Sequence, residues 1–167
     1  APPIPQPFPP VGAAVSLEGP FDAMLRCPAV GTVLPELGAA VRYSTSLADR
    51  ARQMAILAVA AHEDSAFEWH AHEAVGRLAG LTGGDFAAIR AGLTPAGATD
   101  VERAVVDATF DLLRNGDIDD QAFQNALSHL QPVGLQELMT PVGYYRLLCL
   151  QIRVFRVGSR TSLRANR

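Results

Sequence analysis

Residues 47–62 restrict this chain to helical architectures. The segment Leu47-Ala-Asp-Arg-Ala-Arg-Gln-Met-Ala-Ile-Leu-Ala-Val-Ala-Ala-His carries Met54, Ile56, Leu57, Val59 and a series of alanines over most of a helix surface. A helix that is apolar on nearly every side belongs at the centre of a packed domain. No convincing strand-type alternation occurs elsewhere, so the pattern predicts an all-α fold of about seven or eight helices around this one. Ser46 is placed to cap it. The other helices are predicted over 20–26, over 29–42 with Pro35 as an irregularity, and from Asp64 or Ser65 to about 79. Further helices are expected over 83–91 behind Thr82 and over 99–114 behind a Thr99/Glu102 capping box. Two more span about 120–130 and 133–155, separated by Gln131-Pro132, with Pro141 as a candidate kink.

The 167 residues fit one domain, and a 49% hydrophobic fraction is ample for a core. A Pro-rich arm over 1–19 precedes the helical domain of 20–158, and an Arg-containing tail over 159–167 follows it. Pro2, Pro3, Pro5, Pro7, Pro9 and Pro10 make the arm extended rather than helical or stranded. Ile4, Phe8 and Val11 could anchor it over a neighbour or a pocket. The net charge is −3, and no Lys/Arg stripe is present, which argues against nucleic-acid binding. Arg160, Arg164 and Arg167 read as a solvated tail. No apolar run is long enough for a membrane span, and no charged-then-apolar leader is visible, so the expected location is the cytoplasm. Cys27 and Cys149 have neither metal nor redox spacing. They read as two buried apolar side chains, with a disulfide between them left open.

The chemistry-bearing stretch is Ser65-Ala-Phe-Glu68-Trp69-His70-Ala-His72. At 3.6 residues per turn, Glu68 and His72 stack one turn apart on one face, with Ser65 on the same side. A carboxylate, an imidazole and a hydroxyl on one stripe can transfer protons. The alternative is a surface ion pair of a few tenths of a kcal/mol. The apolar neighbours Phe67, Trp69 and Ala71 favour a pocket. Burial would raise the carboxyl pKa and an imidazolium would lower it, so their balance sets where the proton sits. His70 points away from Glu68 and His72, which makes a metal site from His70 and His72 poor geometry; no metal and no cofactor is expected. His62 falls at the end of the preceding helix, and His129 reads as a partner for a helix C-terminus.

The segment 47–61, followed by Phe67-Glu68-Trp69-His-Ala-His72 and Ala79-Gly80-Leu81, resembles the carboxymuconolactone decarboxylase family, which shares its fold with AhpD-like alkylhydroperoxidases. Val142-Gly143-Tyr144-Tyr145 looks like that family's C-terminal helix. The resemblance implies an AhpD-like helical fold and a homo-oligomer, a trimer or hexamer, with sites near subunit contacts. In the peroxidase branch a Cys-x-x-Cys pair precedes a His, with a Glu on the preceding helix. Carried onto this chain, the cysteine positions hold Ser65 and Glu68, the His is His72, and the upstream Glu is Gln53. A hydroxyl and a carboxylate cannot cycle through a disulfide, so thiol peroxide reduction is disfavoured.

These readings make His72 the general acid/base and Glu68 the group that orients it or shares its proton. Ser65, Gln53, Trp69 and Tyr144 are candidate substrate contacts, with Trp69 also readable as packing and Tyr145 as the alternative to Tyr144. The expected activity is a cofactor-independent decarboxylase-like lyase or isomerase acting on a small carbonyl acid or lactone. The rival readings are a hydroperoxide reductase and a non-catalytic ligand-binding oligomer.

Overall fold

A computed structural model describes residues 20–157 apart from Leu25 and the side chain of Asp22. The expected arm over 1–19 and tail over 159–167 lie outside the described residues. Those described form eight helices and no strand: α1 Pro20–Met24, α2 Pro28–Gly31, α3 Val33–Tyr43, α4 Asp49–His62, α5 Ala66–Leu78, α6 Gly83–Arg90, α7 Asp100–Asn115 and α8 Asp120–Val154.

The helix predicted as central is central. Every residue from Ala51 to Ala60 is buried, and α4 packs against α5, α6, α7 and α8. Met54, Ile56, Leu57 and Val59 join Ile89 of α6, Val105 and Val106 of α7, and Leu138 and Tyr145 of α8 in one core. An all-round apolar helix thus fixes the architecture: its neighbours must enclose it.

Two capping boxes tie the periphery to α4. Thr82 and Asp85 close the start of α6, and Thr99 and Glu102 close the start of α7. The same two carboxylates receive Arg50 from the first turn of α4, at 3.1 Å for Asp85 and 2.6 Å for Glu102. Burial works against ionisation of both. Hydrogen bonds from Thr82, Thr99 and Arg50 prevail and hold them below the usual carboxylate range.

Three expectations are corrected. Ser46 does not cap α4. The helix starts at Asp49 without a side-chain cap, and Ser46 instead bonds Glu137 of α8 through its N–H at 2.8 Å and its hydroxyl at 2.6 Å. The helix expected over 29–42 divides at Thr32, and Pro35 falls in the first turn of α3, where its missing N–H leaves nothing unsatisfied. Pro141 does not disturb the helical backbone of α8. The break is at Gln131, with φ 57° and ψ 172°, just before Pro132 starts the second arm. That break matches the expected Gln131-Pro132 division.

Candidate active site

The site is built where α5 crosses α4. Ser65 caps α5, its Oγ accepting the Glu68 N–H at 3.4 Å. From that start, the helical period turns Glu68 and His72 inward and leaves His70 exposed. Gln53 comes from the buried middle of α4, and its Oε1 lies 2.9 Å from His72 Nδ1. With the amide oxygen facing the ring, Nδ1 carries the proton and donates it, and Nε2 is a bare lone pair. Nε2 faces Glu68 Oε2 at 3.8 Å, beyond hydrogen-bond distance. The His72 ring also meets the Tyr145 ring of α8 at a near right angle, centroid to centroid at 4.8 Å.

Burial decides the charge state. It pushes Glu68 up to about 7, against the opposing pull of the Arg42 guanidinium. It pushes His72 down to about 4, and Arg42 adds to that shift. Although a carboxylate oxygen and a ring nitrogen face each other, the pair near neutral pH is not an ion pair. It consists of a neutral imidazole beside a carboxyl that titrates at neutrality. Glu68 Oε1 is buried without a hydrogen-bond partner, as expected for a group whose ionised form is poorly solvated.

A cleft of about 440 Å³ opens on one side of this cluster. Arg42, Tyr43, Gln53, His72, Val75 and Leu78 are among the residues lining it. Glu68 is not: its carboxyl is buried 3.8 Å from His72 Nε2, so His72 is the member of the pair that meets the cleft. Leu78 is 90% exposed, and Tyr43 and Val75 also present apolar surface at this cleft.

The other sequence candidates separate. Ser65 is buried in its cap. Trp69 turns away from the cleft: its indole N–H donates to Glu73 at 3.1 Å, Arg90 lies 3.8 Å above its ring, and Phe86 packs edge-on. One residue beyond Glu68 is 100° round the helix, enough to put Trp69 on the packing face. Tyr144 donates its hydroxyl to Leu34 O at 3.1 Å; Tyr145, not Tyr144, touches His72. The Tyr145 hydroxyl is buried without a partner of hydrogen-bond geometry, and the charge facing it is Arg42.

Cys27 and Cys149 are both free, which settles the disulfide left open by the sequence. Cys27 is exposed rather than buried. Cys149 is buried next to Ser65, and its thiol is pushed up to about 12 by burial. No cluster of His, Cys, Asp or Glu able to hold a metal ion occurs among the described residues. No helix among them is long and apolar enough to cross a membrane.

Gln53, Ser65, Glu68 and His72 all fall within residues 28–111, the half of the chain that matches the model of the carboxymuconolactone decarboxylase family. The chain belongs to that family. A crystal structure of a protein of unknown function from Agrobacterium tumefaciens, provisionally described as an antioxidant defence protein AhpD, superposes with a TM-score of 0.71. That match covers 83% of this chain and 96% of the other at 16% sequence identity, and it shows an AhpD-like fold. No curated protein sequence compared with the chain matches it. The family match spans α2 to most of α7, so Tyr144 and Tyr145 lie beyond it.

Sequence reasoning missed Arg42. In Val41-Arg42-Tyr43 it reads as the basic residue that commonly ends a helix. Only the packing of α3 on α8 places it beside Tyr145 and the cleft.

Proposed function

We propose that this family member is a cofactor-independent lyase or isomerase that moves a proton to or from a small carbonyl acid or lactone. The observation that carries this reading is the buried Glu68–His72 pair, with one member facing the cleft and its proton poised to move near neutral pH. His72 is the group that meets substrate. Glu68 is the proton reservoir behind it.

The imidazole suits a relay. It takes the Glu68 proton on Nε2 and releases the proton on Nδ1, beside Gln53, to a carbanion or enolate left by loss of carbon dioxide. Afterwards Glu68 is a carboxylate and His72 is the Nε2–H tautomer, with the Gln53 side chain turned so that its amide N–H meets the bare Nδ1; one proton from solvent and the reverse turn restore the starting state. The 3.8 Å gap must close for the transfer, as is common when a site without substrate binds its ligand. Gln53 fixes the ring and stays near the reacting atom. Ser65 positions Glu68 through the helix cap rather than by touching substrate.

Peroxide reduction is the poorer reading because neither cysteine is suited to it. Cys149 is held as a thiol far above neutral pH, and Cys27 lies outside the α4–α5 site.

We further propose a homo-oligomer, a trimer or hexamer, with a neighbouring subunit near the cleft mouth. The apolar surface of Leu78, Val75 and Tyr43 supports this. Sedimentation equilibrium should give a mass several times 17.8 kDa at micromolar concentration, and a monomer alone would contradict it.

The activity test uses a panel of small 3-oxo acids and unsaturated lactone carboxylates. Carbon dioxide release and deuterium incorporation from D₂O are followed together. Turnover abolished by His72→Ala and strongly reduced by Glu68→Gln supports the reading. Turnover indifferent to both substitutions refutes it, as does ligand binding with no turnover across the panel.

A further inference from the structure

We propose that Arg42 is the carboxylate-binding residue of the cleft, holding the anionic end of a small oxo acid whose reacting carbon lies at His72. The inference deepens the acid/base reading and rests on it for the identity of the reacting carbon; the anion site itself stands independently.

Arg42 differs from the other partly buried arginines of the fold. Arg50 is matched by Asp85 and Glu102, and Arg52 is matched by Asp49. Arg42 is half-buried at the end of α3, yet no carboxylate among the described residues lies within ion-pair distance of it. Its surroundings are phenolic: Tyr43 on α3, whose ring centre is 5.5 Å from the guanidinium carbon, and Tyr144 and Tyr145 on α8. Gly38 leaves the room. A Cβ there would come within 3.2 Å of Arg42 Nη1 and 2.3 Å of Tyr144 Oη.

A cation drawn into partly apolar surroundings without a counter-ion is unfavourable, and an incoming anion relieves the imbalance. Along the cleft Arg52 and Asp49 cancel and His72 is neutral, so Arg42 leaves the lining with one positive charge. A planar guanidinium fork matches a carboxylate through two parallel hydrogen bonds. The site therefore selects small acids over neutral carbonyl compounds.

Anion binding also acts on the proton reservoir. Around Glu68 stand His72 on its own helix, Arg42 from α3, and Tyr144, Tyr145 and Cys149 from α8; Gln53 of α4 is uncharged. Arg42 is the cation of this group and draws Glu68 toward ionisation. A carboxylate seated on Arg42 cancels that pull, so Glu68 takes up a proton as the acid binds. The acid substrate loads the proton that its own product carbanion needs.

Levulinate, a small oxo acid that does not decarboxylate readily, is a suitable probe, with the neutral amide 4-oxopentanamide as control. Titration calorimetry at pH 7 in two buffers of different ionisation enthalpy measures both affinity and proton uptake. The parent protein should bind levulinate more tightly than the amide and take up protons on doing so. Arg42→Gln should weaken levulinate binding by at least about tenfold and leave amide binding unchanged, the expected loss for a charge-assisted two-point contact. Arg42→Lys should retain part of the preference, which guards against misfolding of the Gln variant. Glu68→Gln should abolish proton uptake while levulinate still binds.

Equal levulinate affinity in the parent and Arg42→Gln overturns the inference, as does no preference of the parent for levulinate over the amide. Arg42-dependent levulinate binding in a protein with no turnover on the oxo acid and lactone panel refutes the acid/base reading and leaves the anion site standing.

Discussion

Glu68→Gln gives a signature that no surface ion pair would produce: it should stabilise the protein selectively at high pH. The carboxyl ordinarily titrates at 4.5 and is raised to about 7 in the fold. Above 4.5 the unfolded chain releases this proton while the folded protein keeps it. Folding then loses free energy steadily as pH rises, until the folded group ionises near 7. A shift of that size amounts to about 3 kcal/mol once the carboxylate is forced into the core. His72 has the opposite dependence. Its pKa falls from 6.5 to about 4, so it withdraws stability as pH drops from 6.5 toward 4 and none above. Between 4.5 and 6.5 the two slopes cancel in the parent. Gln removes only the Glu68 contribution, so the variant should gain stability up to about pH 6.5 and then hold it.

The quantity to measure is the parent–variant difference in urea unfolding free energy at pH 5 and again at pH 8. Changes in packing or hydrogen bonding are common to both pH values and drop out. The variant should gain about 2 to 3 kcal/mol relative to the parent between them. A difference independent of pH would refute the raised carboxyl pKa, and with it the proton reservoir behind His72.

Three further outcomes follow from the packing and the cysteines. Arg50→Ala strips the partner from two partly buried capping carboxylates, Asp85 and Glu102, and should cost about 2 to 3 kcal/mol in thermal or urea unfolding at neutral pH. The loss should shrink as pH falls through the carboxylate range and both groups protonate. Gly38→Ala drives a Cβ to 2.3 Å from Tyr144 Oη and should destabilise by about 1 to 3 kcal/mol. In a double-mutant cycle Tyr144→Phe should recover part of that cost, because it removes the nearer atom. Cys27→Ser and Cys149→Ser should leave any hydroperoxide consumption unchanged; robust peroxide turnover abolished by either substitution would reverse the account of the cysteines.

The sequence carried those parts of the fold that local pattern controls. An all-round apolar α4 could only be central, Thr99 with Glu102 could only start a helix, and Gln131-Pro132 had to interrupt one. The period of α5 likewise put Glu68 and His72 on one inward face. Depth was not legible, because a helix period gives direction around an axis and says nothing about which residue meets a cleft. The period therefore points both Glu68 and His72 toward a pocket, although of the two only His72 lines the opening. Partnerships at long sequence separation were hidden for a related reason. Ser46 was an ordinary cap candidate until α8 brought Glu137 to it, and Arg42 was an ordinary helix end until α8 brought Tyr145. Trp69 and Tyr144, both candidate substrate contacts by sequence, each engage their polar atom with a fixed partner: Glu73 for Trp69 and the Leu34 carbonyl for Tyr144.

The buried pair is tested most directly by a pH titration of the protein labelled with ¹³C at glutamate carboxyls and ¹⁵N at histidine rings, followed by NMR with Glu68→Gln and His72→Ala for assignment. The Glu68 carboxyl should titrate with a midpoint near 7, and the His72 ring should stay neutral with its proton on Nδ1 until the pH approaches 4. A Glu68 carboxyl already ionised by pH 5 beside a His72 ring that is charged at pH 6 would make the pair an ion pair and contradict the mechanism built on it.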